Sequence, residues 1–320
     1  MARCDGIQRP ISIPEPVNKV DSLWRTAQAL KEAVEVIQGI RGNREYALKC
    51  ELQDLEDLVS KLERNLMGTS PSDFLIEVEK GNIPKHRIVH KFGENNAVPN
   101  GSWELVANLS EPTVFKSAAA AVRIKAGDAA DDASGAGARE ITIEGIDSNL
   151  ARVTEAVATA GASASTDTST LFWRQDRAWV SACGTYATPR NTGIVNIEPA
   201  GGGTDLLRIS ATEGQTQHAM YSLADGETGY VLHAYVSGSG KETANCRMFH
   251  RGDINVTAAP VKSQRLIHAW SGVLERQEYN PRGSNRFGGL SGPRDIWMEA
   301  YGDGAVTKVT AGFSLLIVQD

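Results

Sequence analysis

Three aspartates in a glycine-rich stretch form the most obvious candidate metal site of this sequence. Asp128, Asp131 and Asp132 fall within a few positions of one another, and Ca²⁺ takes carboxylate oxygens as ligands. Their spacing does not match the EF-hand loop, which needs oxygen ligands at regular alternate positions. Acidic surface loops are also common in proteins that bind no metal. We therefore predict a connecting loop here and no metal ligand.

The histidines and the triple glycine offer little further chemistry. His86 and His90 stand four residues apart, a spacing that can hold a metal ion on a helix. The β-branched residues between them favour a strand instead, and no glutamate follows His86 as the HExxH motif requires. Residues 201–204 (GGGT) lack the lysine with which a phosphate-binding loop reaches its ligand. No GxSxG nucleophile motif occurs, so we predict no enzyme activity, no catalytic residue and no cofactor.

Aromatic and basic residues near the C-terminus form a candidate binding surface. Residues 279–287 read YNPRGSNRF, and their proline, glycine and asparagines are typical of a loop. Binding residues often lie on loops that a rigid scaffold carries. We therefore predict partner contact by Tyr279, Arg282, Arg286 and Phe287. The tripeptide at 251–253 (RGD) matches an integrin ligand, but so short a match arises easily by chance, and we predict a turn after a strand.

Composition narrows the class of protein. The 320 residues carry a formal net charge of −6, whereas dedicated nucleic-acid binders usually present a basic domain, so we predict no nucleic-acid partner. No apolar run approaches the roughly 18 to 20 residues that cross a bilayer, and the first residues lack the apolar segment of a signal peptide. The four cysteines lie far apart and predict reduced thiols rather than a disulfide framework or a zinc site.

Two runs of apolar residues at heptad spacing predict helices near the N-terminus. The first helix is predicted over 23–38, after the capping residues Asp21 and Ser22. The second is predicted over 45–67, beyond a break that contains Gly39 and Gly42. The residues expected to face another helix are Leu23, Leu30, Val34, Ile37, Leu48, Leu52, Leu55, Val59, Leu62 and Leu66.

The sequence does not decide whether these helices pack against each other or against helices of another chain. In a parallel homo-oligomer Glu51 would oppose Glu56, and Arg44 would oppose Lys49, and such like-charge pairs are mildly repulsive. The stripe therefore predicts helix–helix packing without requiring a parallel dimer. A hairpin within one chain and assembly between chains are both compatible with the pattern.

Downstream of Pro84 the pattern changes to short β-like runs and many glycines. Strand alternation is clearest over 140–144 and 230–236, and the low-complexity stretches 118–138 and 156–170 predict loops. We predict a mainly β fold, with an N-terminal α-helical anchor (helix hairpin or coiled coil) followed by two antiparallel β-sandwich or jelly-roll-like domains. The predicted division is an extended arm, the helical anchor, a linker and two β domains, at 1–20, 21–70, 71–90, 91–212 and 213–320.

Several stretches resemble the structural proteins of tailed bacteriophages. Residues 22–35 (SLWRTAQALKEAVE) and 39–43 (GIRGN) are similar to the N-terminal segment of such proteins. Stretches similar to a β domain encoded among phage head and tail genes are 139–147 (REITIEGID), Glu155, 177–182 (RAWVSA) and 311–318 (AGFSLLIV). The resemblance implies a short fibre or appendage at the neck or tail, trimeric and anchored by its N-terminal helices. It implies no catalytic residue.

The expected function is therefore that of a non-enzymatic virion structural protein, a tail or neck fibre whose β domains project towards the host surface. Its expected partners are portal, adaptor or tail-connector proteins, further copies of the chain, and a host-surface glycan or receptor. Its expected location is the virion, assembled in the bacterial host cytoplasm. The alternatives are a capsid decoration protein (cement or head fibre) and a glycan-degrading tailspike, because the fold, not the spacing, sets the paired carboxylates of a glycosidase.

Overall fold

The computed structural model describes residues 28, 30, 31, 71–109, 115–281, 288–304 and 307–320. They divide into two compact units, Met1–Asn82 and Ile83–Asp320. In the first unit, helix α1 spans Pro71–Glu79. It is followed by Gly81 at a φ of 75°, a left-handed conformation that glycine adopts readily and that commonly ends helices. No described helix is long and apolar enough to cross a membrane.

The second unit is built from antiparallel strands. In chain order its described strands are β1 (His86–Val98), β2 (Glu104–Leu105), β3 (Val122–Ala126), β4 (Ala138–Asp147), β5 (Arg152–Ala158), β6 (Phe172–Cys183), β7 (Val195–Pro199), β8 (Leu207–Ile209), β9 (Met220–Leu223), β10 (Glu227–Ser239), β11 (Ala244–Gly252), β12 (Arg265–Val273), β13 (Gln277–Tyr279), β14 (Leu290–Ser291), β15 (Arg294–Gly302) and β16 (Thr307–Gln319).

Two five-stranded sheets contribute to the larger core. Sheet A has the order β1-β16-β10-β13, with β14 also paired to β10, and sheet B has the order β12-β11-β15-β2, with β9 also paired to β15. Inward side chains of both sheets form one buried cluster, which includes Val89 and Phe313 of sheet A and Met248 and Trp270 of sheet B. Burial of such side chains is the main stabilising contribution to a core of this kind.

Two three-stranded sheets form the smaller core. Their orders are β3-β7-β8 and β5-β4-β6, and their buried side chains include Ile124, Ile141, Phe172 and Ile197. The strands of this core lie in the chain between β2 and β9, so strands of the larger core precede and follow it. The described part of the second unit therefore has one core made from both of its ends and another made from its middle.

The prediction of a mainly β, antiparallel fold is confirmed, and every strand that the alternation indicated over 140–144 and 230–236 is present. The predicted linker at 71–90 is wrong in detail, since it contains α1 and the start of β1. The predicted loop at 118–138 contains β3, because Val122, Ile124 and Ala126 alternate into the smaller core.

The sequential order of β domains at 91–212 and 213–320 also differs from the pairing in the structure. Strand β1 lies beside β16, with His86 opposite Val318 and Glu94 opposite Thr310. Strand β1, which precedes the smaller core in the chain, thus belongs to the same sheet as the last strand, β16. Long-range strand pairing of this kind carries no local sequence signal, which is why a division in chain order missed it.

Candidate functional site

The predicted helical contact residues lie outside the described residues, with one exception. Leu30 lies in a helical stretch and is 7% exposed. The remaining members of that set are Leu23, Val34, Ile37, Leu48, Leu52, Leu55, Val59, Leu62 and Leu66, and the prediction for them stays a prediction.

Of the four residues predicted to contact a partner, the structure describes Tyr279. Tyr279 belongs to β13, opposite Ala234 of β10, packs against the larger core and stacks on His268 at 4.3 Å between ring centroids. Tyr279 is therefore a strand residue with a packing role, which corrects its assignment to an exposed loop. Arg282, Arg286 and Phe287 lie outside the described residues.

The aspartate cluster is a structural loop whose carboxylates already have backbone donors. Asp131 is fully buried, and it accepts hydrogen bonds from the amides of Ala138 and Thr192 at 2.8 Å and from Gly193 at 2.7 Å. Asp132 accepts from the amide and hydroxyl of Ser134, and these bonds lower its pKa. Within the described ranges no group of three or more acidic, histidine or cysteine side chains is placed to hold a metal ion.

The histidine pair and the RGD tripeptide are also placed by strands. His90 lies on β1 and contacts Ser314 of β16 at 3.1 Å, so the strand interpretation of this segment is confirmed. Arg251 and Gly252 end β11, and Arg251 reaches the buried carboxylate of Asp295 at 3.5 Å. An arginine held in this way is not presented as an integrin ligand would be.

The densest cluster of ionisable groups joins the two cores. We call it the ionic junction, and it consists of Arg87, Lys91, Arg152, Asp176 and Glu227. Arg152 and Asp176 come from β5 and β6 of the smaller core. Arg87 and Lys91 come from β1, and Glu227 from β10, both in sheet A. The ion pair of Arg152 with Glu227 therefore crosses between the cores. The ion pair of Arg152 with Asp176 lies within the smaller core and fixes the position of Arg152.

Arg152 is the centre of the ionic junction. Its guanidinium contacts Asp176 at 2.5 Å and Glu227 at 3.2 Å, and it donates to the carbonyl of Ser222. It also lies over the ring of Tyr221, 4.5 Å from the ring centroid, a distance at which a cation–π contact is attractive. Glu144 of β4 lies 3.7 Å from the same guanidinium, so one side chain contacts three carboxylates, one carbonyl and one ring, from four strands.

The other members complete this network. Arg87 donates to Glu227 and to the hydroxyl of Tyr221, both at 2.6 Å, and Lys91 donates to the backbone carbonyl of Asp176. The second carboxylate oxygen of Asp176 accepts from the amide of Ser222 at 2.9 Å. Removing charged groups from water is costly unless partners replace the water, and here the partners are supplied by both cores.

The pKa shifts follow from burial opposed by these partners. Burial lowers the pKa of Lys91 to about 8 and raises the pKa of Asp176. Burial lowers the pKa of Arg152, but the charge of Asp176 together with Tyr221 and Glu227 outweighs burial, and the pKa of Arg152 is raised. Burial raises the pKa of Glu227, but Arg152, the amide of Ala224 and Arg87 together outweigh it, and the pKa of Glu227 is lowered. Burial and the charged partners thus act in opposite directions on both members of the central pair.

A second buried pair lies beside the ionic junction. Arg174 of β6 donates twice to Asp295 of β15, both at 3.0 Å, and the hydroxyl of Ser222 donates to the same carboxylate at 2.8 Å. Two parallel bonds between guanidinium and carboxylate fix orientation as well as distance. This pair links the smaller core to sheet B, as the ionic junction links it to sheet A.

A small cavity beside this pair has room for water. Its volume is about 30 Å³, enough for roughly two water molecules. Gln175 Nε2 and His218 Nδ1 are buried and have no hydrogen-bond partner among the described residues, and both residues line the cavity with Lys116. Burial lowers the pKa of His218 to about 3, so its ring is neutral and can accept a hydrogen bond from water.

The chemistry of this arrangement is structural. The carboxylates of the ionic junction each accept from several donors, and a general acid or base must instead reach a substrate proton. The sequence holds one signal that could have indicated the junction: residues 174–177 (RQDR) place four polar side chains in succession within a strand. A strand with polar residues on both faces predicts a buried polar contact on one of them.

Comparisons with known proteins identify no family for this chain. No protein-family model matches it, and no curated protein matches it. A solved chain from "Structure of infectious bursal disease virus Gt strain" aligns over 78% of this chain and 78% of that chain, at 9% identity and a TM-score of 0.19. A likeness of that size carries no argument about fold or function.

Proposed function

We propose that this chain is a non-enzymatic structural protein of a tailed-bacteriophage particle, a tail or neck fibre or appendage that its N-terminal helices fasten to the head–tail connector. The assignment is motivated by the resemblance to phage structural proteins of residues 22–35, 39–43, 139–147, Glu155, 177–182 and 311–318. The structural observation that carries it is the ionic junction, which ties two β cores into one body through charged groups of both.

A rigid link between the cores suits a protein that must hold its shape on a particle. Arg152 and Arg174 reach from the smaller core to Glu227 and Asp295 of the larger one, so sliding of one core over the other would separate buried charges. Such separation is strongly unfavourable. A surface appendage that meets a host cell gains from this resistance, whereas an enzyme needs at least one reactive group that remains open to substrate.

The proposal also includes the arrangement of the sheets into two sandwiches. We assign the larger core to a β-sandwich of sheets A and B, and the smaller core to a second, six-stranded sandwich inserted between β2 and β9. Packing of inward side chains from two antiparallel sheets around one core supports each assignment. The N-terminal anchor is part of the proposal through the heptad spacing of its apolar residues and the resemblance, and the homotrimeric state through the resemblance.

The direct test is to locate the chain on particles. Antibodies raised against the purified full-length chain would label purified particles of the phage that encodes it, viewed by negative-stain electron microscopy. We expect label at the neck or tail. Label on the faces of the head would support a capsid decoration protein instead, and particles without label would overturn a virion role.

A second assay tests the enzymatic alternative. Purified full-length chain would be incubated with host surface polysaccharide, and reducing ends would be measured against a heat-denatured sample. We expect equal values in the two samples. Release of reducing ends by the folded chain alone would contradict the non-enzymatic assignment and favour a tailspike.

A further inference from the structure

The outer face of sheet A carries several apolar and aromatic side chains among polar ones. Side chains alternate along a strand, so the residues of β1, β16 and β10 that do not enter the core form one outward face. We call this the A face, and its apolar and aromatic members are Ile88, Phe92, Tyr230, Tyr235, Leu316 and Val318. An antiparallel sheet with one face in water is normally polar on that side.

The pairing register brings these side chains into rows, and the row of His90, Ser314 and His233 lies between the two that are described next. Leu316 lies opposite Ile88 on one side and Tyr230 on the other. Gly312 lies between Phe92 and Tyr235 in the same way. A Cβ at Gly312 would lie 2.8 Å from the ring of Tyr235, so this ring lies over the backbone of Gly312. His90 stacks with Phe92 and Tyr235, and His233 stacks with Tyr235, so ring contacts continue from the Gly312 row into the row between.

The outer face of sheet B also carries apolar side chains, and another part of the chain packs over them. Trp297 and Phe249 lie on the outer side of sheet B, and Phe115 packs edge-on against Trp297 at 5.1 Å between ring centroids. Trp297 is 0% exposed as a result. On the A face, by contrast, Tyr230 is 37% exposed, and the other apolar members are only partly buried. Described residues cover the A face in part: Arg276 lies over the ring of Tyr235, 4.8 Å from the ring centroid, and a Cβ at Gly289 would lie 3.1 Å from the ring of Tyr230.

Charge on the A face favours a partner without net charge. Glu94 pairs with Lys308 at 2.8 Å, and Glu278 at its edge pairs with Arg276 at 2.9 Å. The remaining ionisable side chains on the middle rows are His90 and His233. A strongly acidic or basic partner would find no opposite charge here, whereas a second A face presents the same neutral, apolar surface.

The size of the A face matches the requirement for a specific contact between copies. Three strands of thirteen residues each form it. At about 3.4 Å per residue and about 4.8 Å per strand, they span about 600 Å². Two such faces in contact would bury about 1,200 Å², which is at the lower end of specific protein–protein interfaces.

We propose that the A face is an interface between copies of this chain, through which the β bodies contact one another directly. Assembly then has a site in residues 86–94, 228–237 and 308–318, in addition to whatever the N-terminal helices contribute. This inference holds whether or not the chain belongs to a phage particle, because it depends only on the composition, register and exposure of sheet A.

The test measures the solution mass of the full-length chain by light scattering over a range of concentrations. Leu316→Glu and Ser314→Arg each place a charge or bulk in the middle of the A face. Val261→Glu is the matched control, since Val261 is 53% exposed in the loop between β11 and β12. Each variant would be compared with Leu55→Glu, which interrupts the predicted helical stripe, and with both changes combined.

We expect the A-face variants to weaken association at least tenfold and Val261→Glu to leave association unchanged. We expect the solution mass of Leu55→Glu to remain above that of one chain. Equal thermal melting of Ser314→Arg and the unaltered chain would show that the fold is intact. The proposal is overturned if Leu55→Glu is a single chain at every concentration. It is also overturned if the A-face variants keep the mass of the unaltered chain. A single-chain protein whose A-face amides are protected from hydrogen exchange would indicate coverage by its own N-terminal residues, which contradicts the proposal as well.

Discussion

Replacement of Arg152 by methionine tests whether the ionic junction holds the two cores together. Methionine keeps much of the length of the side chain and removes its charge. The change leaves Asp176 and Glu227 without their shared cation, and these residues are 1% and 5% exposed. Removing one partner of a buried ion pair typically costs about 3–5 kcal/mol, because the remaining charge is left in a poorly solvated site.

This loss should be visible in thermal and chemical unfolding. The second unit spans Ile83–Asp320, and for a domain of this size each kcal/mol corresponds to roughly 2–4 °C in Tm. We therefore expect Arg152→Met to lower Tm by roughly 6–20 °C. Arg177→Met is the comparison variant: Arg177 pairs with Glu144 at 3.2 Å, and Glu144 also lies 3.7 Å from Arg152. Because the Arg177 side chain is 40% exposed, we expect a smaller loss than for Arg152→Met.

The pH dependence of the Arg152→Met variant gives a second check. Burial already raises the pKa of Asp176, and loss of the guanidinium should raise it further. Protonation removes the unpaired charge, so the stability deficit of the variant should shrink as pH falls towards 5. A variant that unfolds like Arg177→Met, or whose deficit stays constant with pH, would refute the view that this junction is a buried, charged link.

Three further predictions follow from other buried groups. Gly93→Ala should prevent stable folding, since a Cβ there would lie 1.8 Å from the carbonyl oxygen of Val106; circular dichroism of the purified variant checks this. Asp131→Ala should cost about 3 kcal/mol in urea unfolding, because three backbone amides lose their acceptor, and added Ca²⁺ should not change the midpoint of the unaltered chain. Burial lowers the pKa of His218 to about 3 in the folded chain, against about 6.5 when unfolded. Only the unfolded state then binds this proton at pH 5, so relative to His218→Phe the unaltered chain should lose about 2 kcal/mol between pH 7 and pH 5.

Local sequence patterns predicted the strands well because alternation is a local property. Ile141 and Ile143 alternate with polar neighbours, and both are fully buried on one face of β4. The loop assigned to 118–138 failed for a related reason: Val122, Ile124 and Ala126 also alternate, but the surrounding alanines and glycines obscured the pattern. Alternation identifies a strand only where the composition around it differs from that of the strand.

Neither the sheet partners nor the junction could be read from local patterns. Strand β1 pairs with β16, and this contact is specified by the whole core rather than by either segment. Arg152 lies on an ordinary-looking strand, and only the folded chain brings Asp176 and Glu227 to it. A charged residue in a strand is usually on the solvated face, so each of these three would be assigned to the surface if taken alone.

The two surfaces of the larger core suggest how stability and assembly are divided in this molecule. The ionic junction and the Arg174–Asp295 pair fix the smaller core to sheets A and B, and Phe115 covers part of the outer side of sheet B. The A face carries partly exposed apolar and aromatic side chains, for which an isolated body has no need. If the junction holds each body rigid, contact between A faces would fix the orientation of neighbouring bodies as well as their distance. Combining Leu316→Glu with Arg152→Met separates these roles: the first should change solution mass with little effect on Tm, and the second should change Tm before it changes mass.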